Sequence, residues 1–185
     1  RPLAGLLDDF LADLTARRRT AGTVRKYGGT LRIAIERLGW TELRCVTVRS
    51  FVQWRNLSGL SAKTLNDLLA NLCTFFRWLE VQGLAKENPL EHVARVDTRG
   101  LPQCRRALSA DEVRQLLCVS PRERAIVYFV ALHTGMRRKE LNAVRWADFA
   151  LDDKAPTFFI AASDQKNRTD VRLPMGPDLV AALRA

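Results

Sequence analysis

The sequence has few of the residues that bind metals or cross-link a chain. It contains four cysteines and two histidines among 185 residues, and no two cysteines form a Cys-x-x-Cys pair. Zinc sites and disulfide frameworks need such groups at close, regular spacing. The composition therefore predicts neither a metal site nor a disulfide-linked fold, and it indicates no cofactor.

Long apolar runs are also missing. No stretch of the sequence approaches the roughly 20 apolar residues that a membrane-spanning helix needs. The first residues, RPLAGLLDDFLADL, carry acidic side chains where a secretory signal peptide would be apolar. We therefore expect a cytoplasmic protein that does not enter a membrane.

Acidic residues are the scarcer of the two charged classes. The sequence has 20 Asp and Glu residues and 30 Lys and Arg residues, which gives a formal charge of +10 and a pI near 10.2. The usual partner of so basic a surface is a polyphosphate such as nucleic acid. Since 47% of the residues are hydrophobic, the chain has material for one or two packed domains.

The first half of the chain shows apolar residues at helical spacing. This spacing predicts helices over residues 4–16, from an N-cap at Thr23 to Gly39, over 46–57, and from Ser61 to about Leu79. Short links between consecutive helices are typical of a bundle. We therefore predict a helical domain over residues 1–83.

The surface of this helical half is unevenly charged. Residues 12–37 hold seven cations against two acids, and Lys26 and Lys63 are each expected in the first turn of a helix. Cations near a helix N-terminus are unfavourable unless an anion lies close by. Two interpretations stay open: a solvated helix face, or a stripe that faces phosphates.

A basic segment without regular apolar spacing follows, and we interpret residues 84–108 as a linker. It contains two prolines, one glycine and five cations. Arg105 and Arg106 would suit a strap along a nucleic-acid backbone, and a merely flexible connector is the alternative.

Residues 109–185 combine helical and strand-like patterns. Ser109 with Glu112, and Ser120 with Glu123, have the spacing of capping boxes. The runs TFFIAA and VRLPM flank a polar stretch and predict a β-hairpin, with Lys166 at its tip or on its second strand. A last helix is expected near Pro177.

Residues 134–141 read Thr-Gly-Met-Arg-Arg-Lys-Glu-Leu, so a helix is expected to begin with three cations. Together with Val144, Arg145, Trp146 and Asp148, this stretch resembles the first catalytic-arginine motif of the tyrosine recombinases, the phage-integrase family. Lys166, eight residues before Pro174, matches the lysine of that family's β-hairpin. The helical half is similar to its core-binding domain, so the resemblance covers nearly the whole chain.

The resemblance implies a mainly α fold with a small β-hairpin, in which a helical, SAM-like core-binding bundle precedes a truncated mixed α+β catalytic domain. Such enzymes cut double-stranded DNA by attack of a tyrosine hydroxyl on a backbone phosphate, without a metal, and leave a 3′-phosphotyrosyl link. Arg137 would stabilise the charged transition state, Lys166 would protonate the leaving 5′-oxygen, and Glu140 would orient Arg137 or only balance the helix terminus. Residues expected to contact DNA are Lys26, Lys63, Arg105, Arg106, Arg138 and Lys139, of which the last two are alternatively solvated charges.

The sequence departs from the family after the hairpin. The family's His-x-x-Arg motif and nucleophilic tyrosine have no counterpart, since Tyr27 and Tyr128 both precede the arginine motif. Because the chain begins at Arg1 rather than Met and ends inside an expected helix, we expect a fragment that does not cut DNA alone. The complete enzyme is expected to form tetramers on DNA in the nucleoid.

A non-catalytic helical DNA-binding or architectural protein on the same scaffold is the alternative function. A type IB topoisomerase shares the phosphotyrosyl chemistry, but the core-binding resemblance argues against it. RNA binding is less favoured, because no motif of stacking aromatic residues is visible.

Overall fold

The computed structural model describes residues 1–99, 106–165 and 167–185. Over these residues the protein is mainly helical, with one small antiparallel sheet in its second half. The chain divides into two compact units, Arg1–Gln103 and Cys104–Ala185. The predicted fold class is therefore confirmed: a helical bundle precedes a mixed α and β unit that contains the hairpin.

The first unit contains the predicted helices. Their bounds are α1 Leu3–Ala16, α2 Ala21–Arg37, α3 Val48–Leu57 and α4 Ala62–Val81, with a 3-10 turn at Leu43–Cys45. One predicted start is wrong, because Thr20 rather than Thr23 is the N-cap of α2. The Thr20 side chain accepts a hydrogen bond from the Thr23 N–H at 3.3 Å. Lys26 therefore lies in the second turn of α2, whereas Lys63 lies in the first turn of α4 as predicted.

Phe10 of α1 lies at the centre of this unit's core, where it is 1% exposed. Its ring centroid lies 5.6 Å from Tyr27, 5.4 Å from Phe75 and 5.5 Å from Trp78. Aromatic pairs at such distances add to the free energy of simple apolar burial. The aromatic contacts hold α1 against both α2 and α4.

Part of the segment that the sequence assigns to a linker packs onto the first unit. Leu90 is fully buried, and the Asn66 side chain pairs with the backbone of Val96 through both its amide nitrogen, at 2.8 Å, and its oxygen, at 2.9 Å. Residues 90–96 are therefore held against α4. The domain boundaries at 83 and 108 remain a prediction.

In the second unit a three-stranded sheet follows three helices and precedes a last one. Its elements are α5 Ala110–Val119, α6 Arg122–Thr134, α7 Arg138–Ala143, a 3-10 turn Trp146–Asp148, β1 Phe149–Ala150, β2 Thr157–Ile160, β3 Val171–Pro174 and α8 Pro177–Arg184. The strands are antiparallel in the order β1-β2-β3. The hairpin of β2 and β3 was predicted, whereas β1 was missed because two residues are too short to show alternation.

One of the two predicted capping boxes is present. Ser109 Oγ accepts from the Glu112 N–H at 3.2 Å, and Glu112 accepts from the Ser109 N–H at 2.8 Å. The box at Ser120 is wrong, because its hydroxyl donates to the Leu116 carbonyl at 2.7 Å, in the last turn of α5. The N-cap of α6 is Pro121, whose side chain has no acceptor.

The core of the second unit lies between the sheet and helices α6 and α8. Its buried members are Val130, Met136, Phe158, Ile160, Leu179 and Leu183. Burial of Met136 anchors the segment that joins α6 to α7. In the part of the chain that the structure describes, no helix combines the length and the apolar character of a membrane span.

Candidate functional site

The turn between α6 and α7 is tightly specified. The Thr134 hydroxyl donates to the Val130 carbonyl at 2.7 Å and accepts from the Met136 N–H at 3.3 Å. Gly135 ends α6 with a φ of +64°, in the left-handed region where a Cβ atom is unfavourable. With Met136 buried, this turn fixes the position of Arg137, the N-cap of α7.

Arg137 is held by a carboxylate from its own helix. Glu140 accepts from the backbone N–H of Arg137 at 2.7 Å and from its guanidinium Nη1 at 3.0 Å. The Glu140 side chain is 6% exposed, whereas that of Arg137 is 62% exposed. A buried anion therefore fixes one edge of an otherwise exposed guanidinium.

The environment of Glu140 lowers the pKa of its carboxyl. The main cause is the hydrogen bond from the Arg137 backbone N–H, and the Arg137 guanidinium acts in the same direction, whereas burial opposes both. Glu140 is therefore ionised at neutral pH. Its negative charge in the first turn of α7 offsets part of the unfavourable positive charge that the sequence places there.

The other donors of Arg137 have no acceptor within the described part of the chain. Among the residues that the structure describes, its Nε and Nη2 atoms form no hydrogen bond, and the neighbouring Arg138 is exposed without an ion pair. A guanidinium presents its N–H groups in a planar fork that matches two oxygens of a phosphate or carboxylate. The arrangement is suited to binding an oxyanion.

Lys139 contacts the connection between β2 and β3. Its Nζ donates to the Ser163 carbonyl at 2.7 Å and lies 3.6 Å from a carboxylate oxygen of Asp164. The adjacent cations Arg137, Arg138 and Lys139 therefore have different surroundings. A role for Lys139 in contacting DNA remains a prediction, and its ammonium already has acceptors in the fold.

The structure does not describe two of the predicted site residues, Lys166 and Arg105. Lys166 belongs by its number to the connection between β2 and β3, and Arg105 belongs to the basic segment before α5. Both lie outside the described residues. Their roles therefore remain predictions from the sequence.

Arg106 forms an ion pair with Glu112 in the first turn of α5. Its guanidinium donates to both carboxylate oxygens of Glu112, at 2.7 and 2.6 Å. This pair is the main reason why the pKa of Glu112 is lowered to about 2, and the capping bond from Ser109 adds to the effect. A DNA phosphate would have to compete with Glu112 for Arg106.

We expect Arg106→Ala to raise the pKa of Glu112 toward its ordinary value of 4.5, because the largest stabiliser of the ionised carboxylate is removed. The measurement is a pH titration of the Glu112 side-chain carboxyl carbon by NMR. Any stability from the pair is present above pH 4.5 and is lost only as the pH falls toward 2. The matched control is Arg114→Ala, which removes an arginine paired with Asp111 on the same helix. An unchanged Glu112 titration in Arg106→Ala would contradict the assignment.

The predicted contacts Lys26 and Lys63 lie in the first unit, apart in sequence from the arginine motif. Both side chains are exposed, and neither forms an ion pair within the described ranges. Their exposure is compatible with either of the two interpretations of the basic surface. Within residues 1–99, 106–165 and 167–185, no group of three His, Cys, Asp or Glu side chains could hold a metal ion.

Sequence reasoning missed the hydrogen bonds that join residues far apart in the chain. Lys139 donates a hydrogen bond to Ser163, 24 residues further along the chain. Asp13 accepts one from the indole of Trp78, which is 65 residues away in sequence. No local pattern marks such pairs. Glu140 was found because it lies within one helical turn of Arg137.

Comparisons with known proteins identify the family and the fold of this chain. The sequence profile of the phage integrase N-terminal SAM-like domain matches residues 7–83. Tyrosine recombinase XerC of Xanthomonas campestris is 31% identical over 196 aligned positions, which cover 97% of this chain and 57% of the relative. The chain therefore spans little more than half the length of that relative.

Solved structures show the same fold at lower sequence identity. Lambda integrase (residues 75–356) bound to DNA matches with a TM-score of 0.78 and 18% identity, covering 100% of this chain and 64% of the other. A lambda integrase tetramer bound to a Holliday junction matches with a TM-score of 0.77 and 19% identity, covering 97% of this chain and 53% of the other.

Proposed function

This chain belongs to the tyrosine recombinases, the phage-integrase family, and on that premise we propose that it binds double-stranded DNA and supplies the phosphate-binding arginine of a site-specific recombinase. The observation that carries the proposal is the anchoring of Arg137 by Glu140. A buried carboxylate holds one edge of the guanidinium, and 62% of the Arg137 side chain stays exposed.

The free edge of Arg137 would receive the scissile phosphate. When an oxygen nucleophile attacks phosphorus, negative charge builds on the non-bridging oxygens. Donors that are already oriented stabilise that charge without reorganising in the transition state. Glu140 would act as a positioning residue, because its two hydrogen bonds fix the arginine before DNA arrives.

Lys166 completes the proposed chemistry as a general acid. Attack by a tyrosine hydroxyl forms a new P–O bond, and the bond to the 5′-oxygen breaks as that oxygen takes a proton. An ammonium can supply this proton. Complete cleavage and rejoining are proposed for a longer protein, because no tyrosine follows the arginine motif in these 185 residues and the chain spans 57% of its relative.

DNA is the proposed partner in both units. The net charge of +10 and exposed cations such as Lys26, Lys63 and Arg138 support contacts to phosphates. A tetramer on two DNA sites is proposed for the complete enzyme, supported by the tetrameric lambda integrase that shares the fold.

The direct experiment is a fluorescence-anisotropy titration of a labelled 30-base-pair duplex of random sequence with the 185-residue chain. We expect a dissociation constant between about 10⁻⁴ and 10⁻⁶ M at physiological salt, as for contacts to phosphates without base readout. Unlabelled duplex should compete better than single-stranded RNA of equal length. Absence of duplex binding, or equal competition by the RNA, would refute the proposal.

Glu140→Gln is expected to lower the free energy of unfolding of the second unit by about 1–2 kcal/mol at neutral pH, since two hydrogen bonds lose a charged acceptor. The pKa of Glu140 is lower in the folded protein, so the carboxylate stabilises the fold above its ordinary pKa of 4.5. That advantage disappears as the pH falls through the lowered folded pKa. The measurement is hydrogen exchange of the β2 amides, which reports on the second unit alone.

The control for this prediction is Glu123→Gln, which removes an exposed carboxylate from the first turn of α6. Glu123→Gln should lower the free energy of unfolding less than Glu140→Gln does at neutral pH. If the two variants have equal effects at every pH, Glu140 has no special role in holding Arg137.

A further inference from the structure

Three helices of the first unit end in the same hydrogen-bonded motif, but one of them has an unusual residue at the critical position. After α1, the N–H of Arg19 donates to the Leu14 carbonyl at 3.0 Å, and Arg18 has a φ of +53°. The corresponding residues after α2 and α4 are Gly39, with a φ of +64°, and Gly83, with a φ of +69°.

The left-handed conformation favours glycine, because a side chain there brings Cβ too close to the backbone carbonyl. Glycine is accordingly the usual residue at this position of the motif. The fold thus uses glycine at two of these ends and tolerates an arginine at the third. Residues that keep a left-handed backbone without being glycine concentrate at functional sites.

The charges around this turn leave Arg18 without a carboxylate partner. Arg17 forms an ion pair with Asp13, in which Nε lies 2.9 Å from Oδ2, and the same Asp13 oxygen accepts from the Trp78 indole N–H at 2.9 Å. Within the described part of the chain, Arg18 and Arg19 form no ion pair, and both are exposed. Asp13 therefore interacts with Arg17 and Trp78 rather than with Arg18.

The helix that follows adds positive charge instead of neutralising it. The first turn of α2 contains no acid, and Arg25 and Lys26 are exposed in its second turn. The C-terminal dipole of α1 favours cations nearby, but Arg17 satisfies it without a side chain in the left-handed position. The dipole therefore does not account for arginine at position 18.

We propose that Arg18 binds a phosphate of duplex DNA, and that this contact is the reason why the turn after α1 holds an arginine where the fold favours glycine. The inference deepens the DNA-binding function proposed above and rests on it. It places a phosphate contact in the turn between α1 and α2 of the first unit, separate in sequence from Arg137.

The test is Arg18→Gly in the whole 185-residue chain, because this change should affect binding and folding in opposite ways. Loss of one phosphate contact should raise the dissociation constant for a random 30-base-pair duplex roughly fivefold to tenfold at low salt. The slope of log K against log salt should become less negative by about 0.9. The thermal unfolding midpoint should stay the same or rise, since glycine relieves the left-handed strain.

Two further variants separate the contact from other causes. Arg18→Asn removes the charge but tolerates the left-handed backbone without the freedom of glycine, so it should weaken binding as much as Arg18→Gly does. Arg44→Ala removes an equal charge from an arginine that is 82% exposed and paired with Glu42, and it should change the dissociation constant less than about twofold.

The outcomes distinguish this inference from the proposed function. If the unchanged chain fails to bind duplex DNA, both are overturned. If it binds and Arg18→Gly binds equally well with the same salt slope, the Arg18 contact alone is overturned. A lower unfolding midpoint in Arg18→Gly would show that Arg18 stabilises the folded state. Normal DNA binding by Arg18→Asn would show that the weaker binding of Arg18→Gly comes from the flexibility of glycine. Either result overturns the contact.

Discussion

Replacing Arg137 by alanine in a recombinase that contains this chain and the remainder of its catalytic domain is expected to slow DNA strand cleavage by at least about 10²–10³-fold. The reason is that the free N–H groups of Arg137 would meet charge that develops in the transition state. Binding of DNA should change much less, because a ground-state phosphate is also held by other cations. The measurement is single-turnover cleavage of saturating duplex DNA that carries a target site, first isolated by repeated selection from a random pool.

Two variants accompany this prediction. Arg137→Lys keeps the charge but loses the planar fork, so its cleavage should remain strongly reduced. Arg124→Ala removes an exposed arginine from α6 of the same unit and should cleave at the normal rate. If Arg137→Ala reduced binding and cleavage equally, Arg137 would be an ordinary DNA contact. That result would favour the alternative of a non-catalytic DNA-binding or architectural protein.

DNA binding by the 185-residue chain is expected to weaken steeply with salt. Neutralisation of about five phosphates gives a slope of roughly −4.5 for log K against log salt, and hence a loss of about 500-fold in affinity between 50 and 200 mM salt. The physical reason is the release of counterions from DNA when exposed arginines and lysines replace them. Anisotropy titrations at four or more salt concentrations would measure the slope.

The control for the salt series is circular dichroism at each concentration, which shows that the helices remain folded as binding weakens. A slope shallower than about −1 would mean that no more than one phosphate is neutralised. In that case the exposed cations are solvated faces of helices, which is the simpler of the two interpretations of the basic surface.

Several local features were predictable because their causes act within a few residues. The capping box of Ser109 and Glu112, the hairpin of β2 and β3, and the helix that starts at Pro177 each depend on neighbouring side chains and backbone. The error at Ser120 has the same origin. Its hydroxyl had two acceptable partners within one turn, and the spacing of residues could not decide between them.

The roles of the cations were less predictable. Arg137, Arg138 and Lys139 are adjacent cations, and in the sequence only the family motif singles out Arg137. The fold gives Arg137 a buried carboxylate and Lys139 a carbonyl acceptor in the distant connection between β2 and β3. Of the arginines after α1, Arg17 forms an ion pair with Asp13, whereas Arg18 forms none within the described part of the chain.

The sequence by itself determined the helical first half, the hairpin, the basic character and the arginine motif with its nearby glutamate. These features follow from composition and from spacings within one or two turns. Only the tertiary structure decided that Glu140 is buried while Arg137 is exposed, and that Lys139 donates a hydrogen bond to Ser163. Burial and distant hydrogen bonds depend on which surfaces pack together. Packing brings together residues that are far apart in the chain, and no local sequence pattern shows which of them will meet.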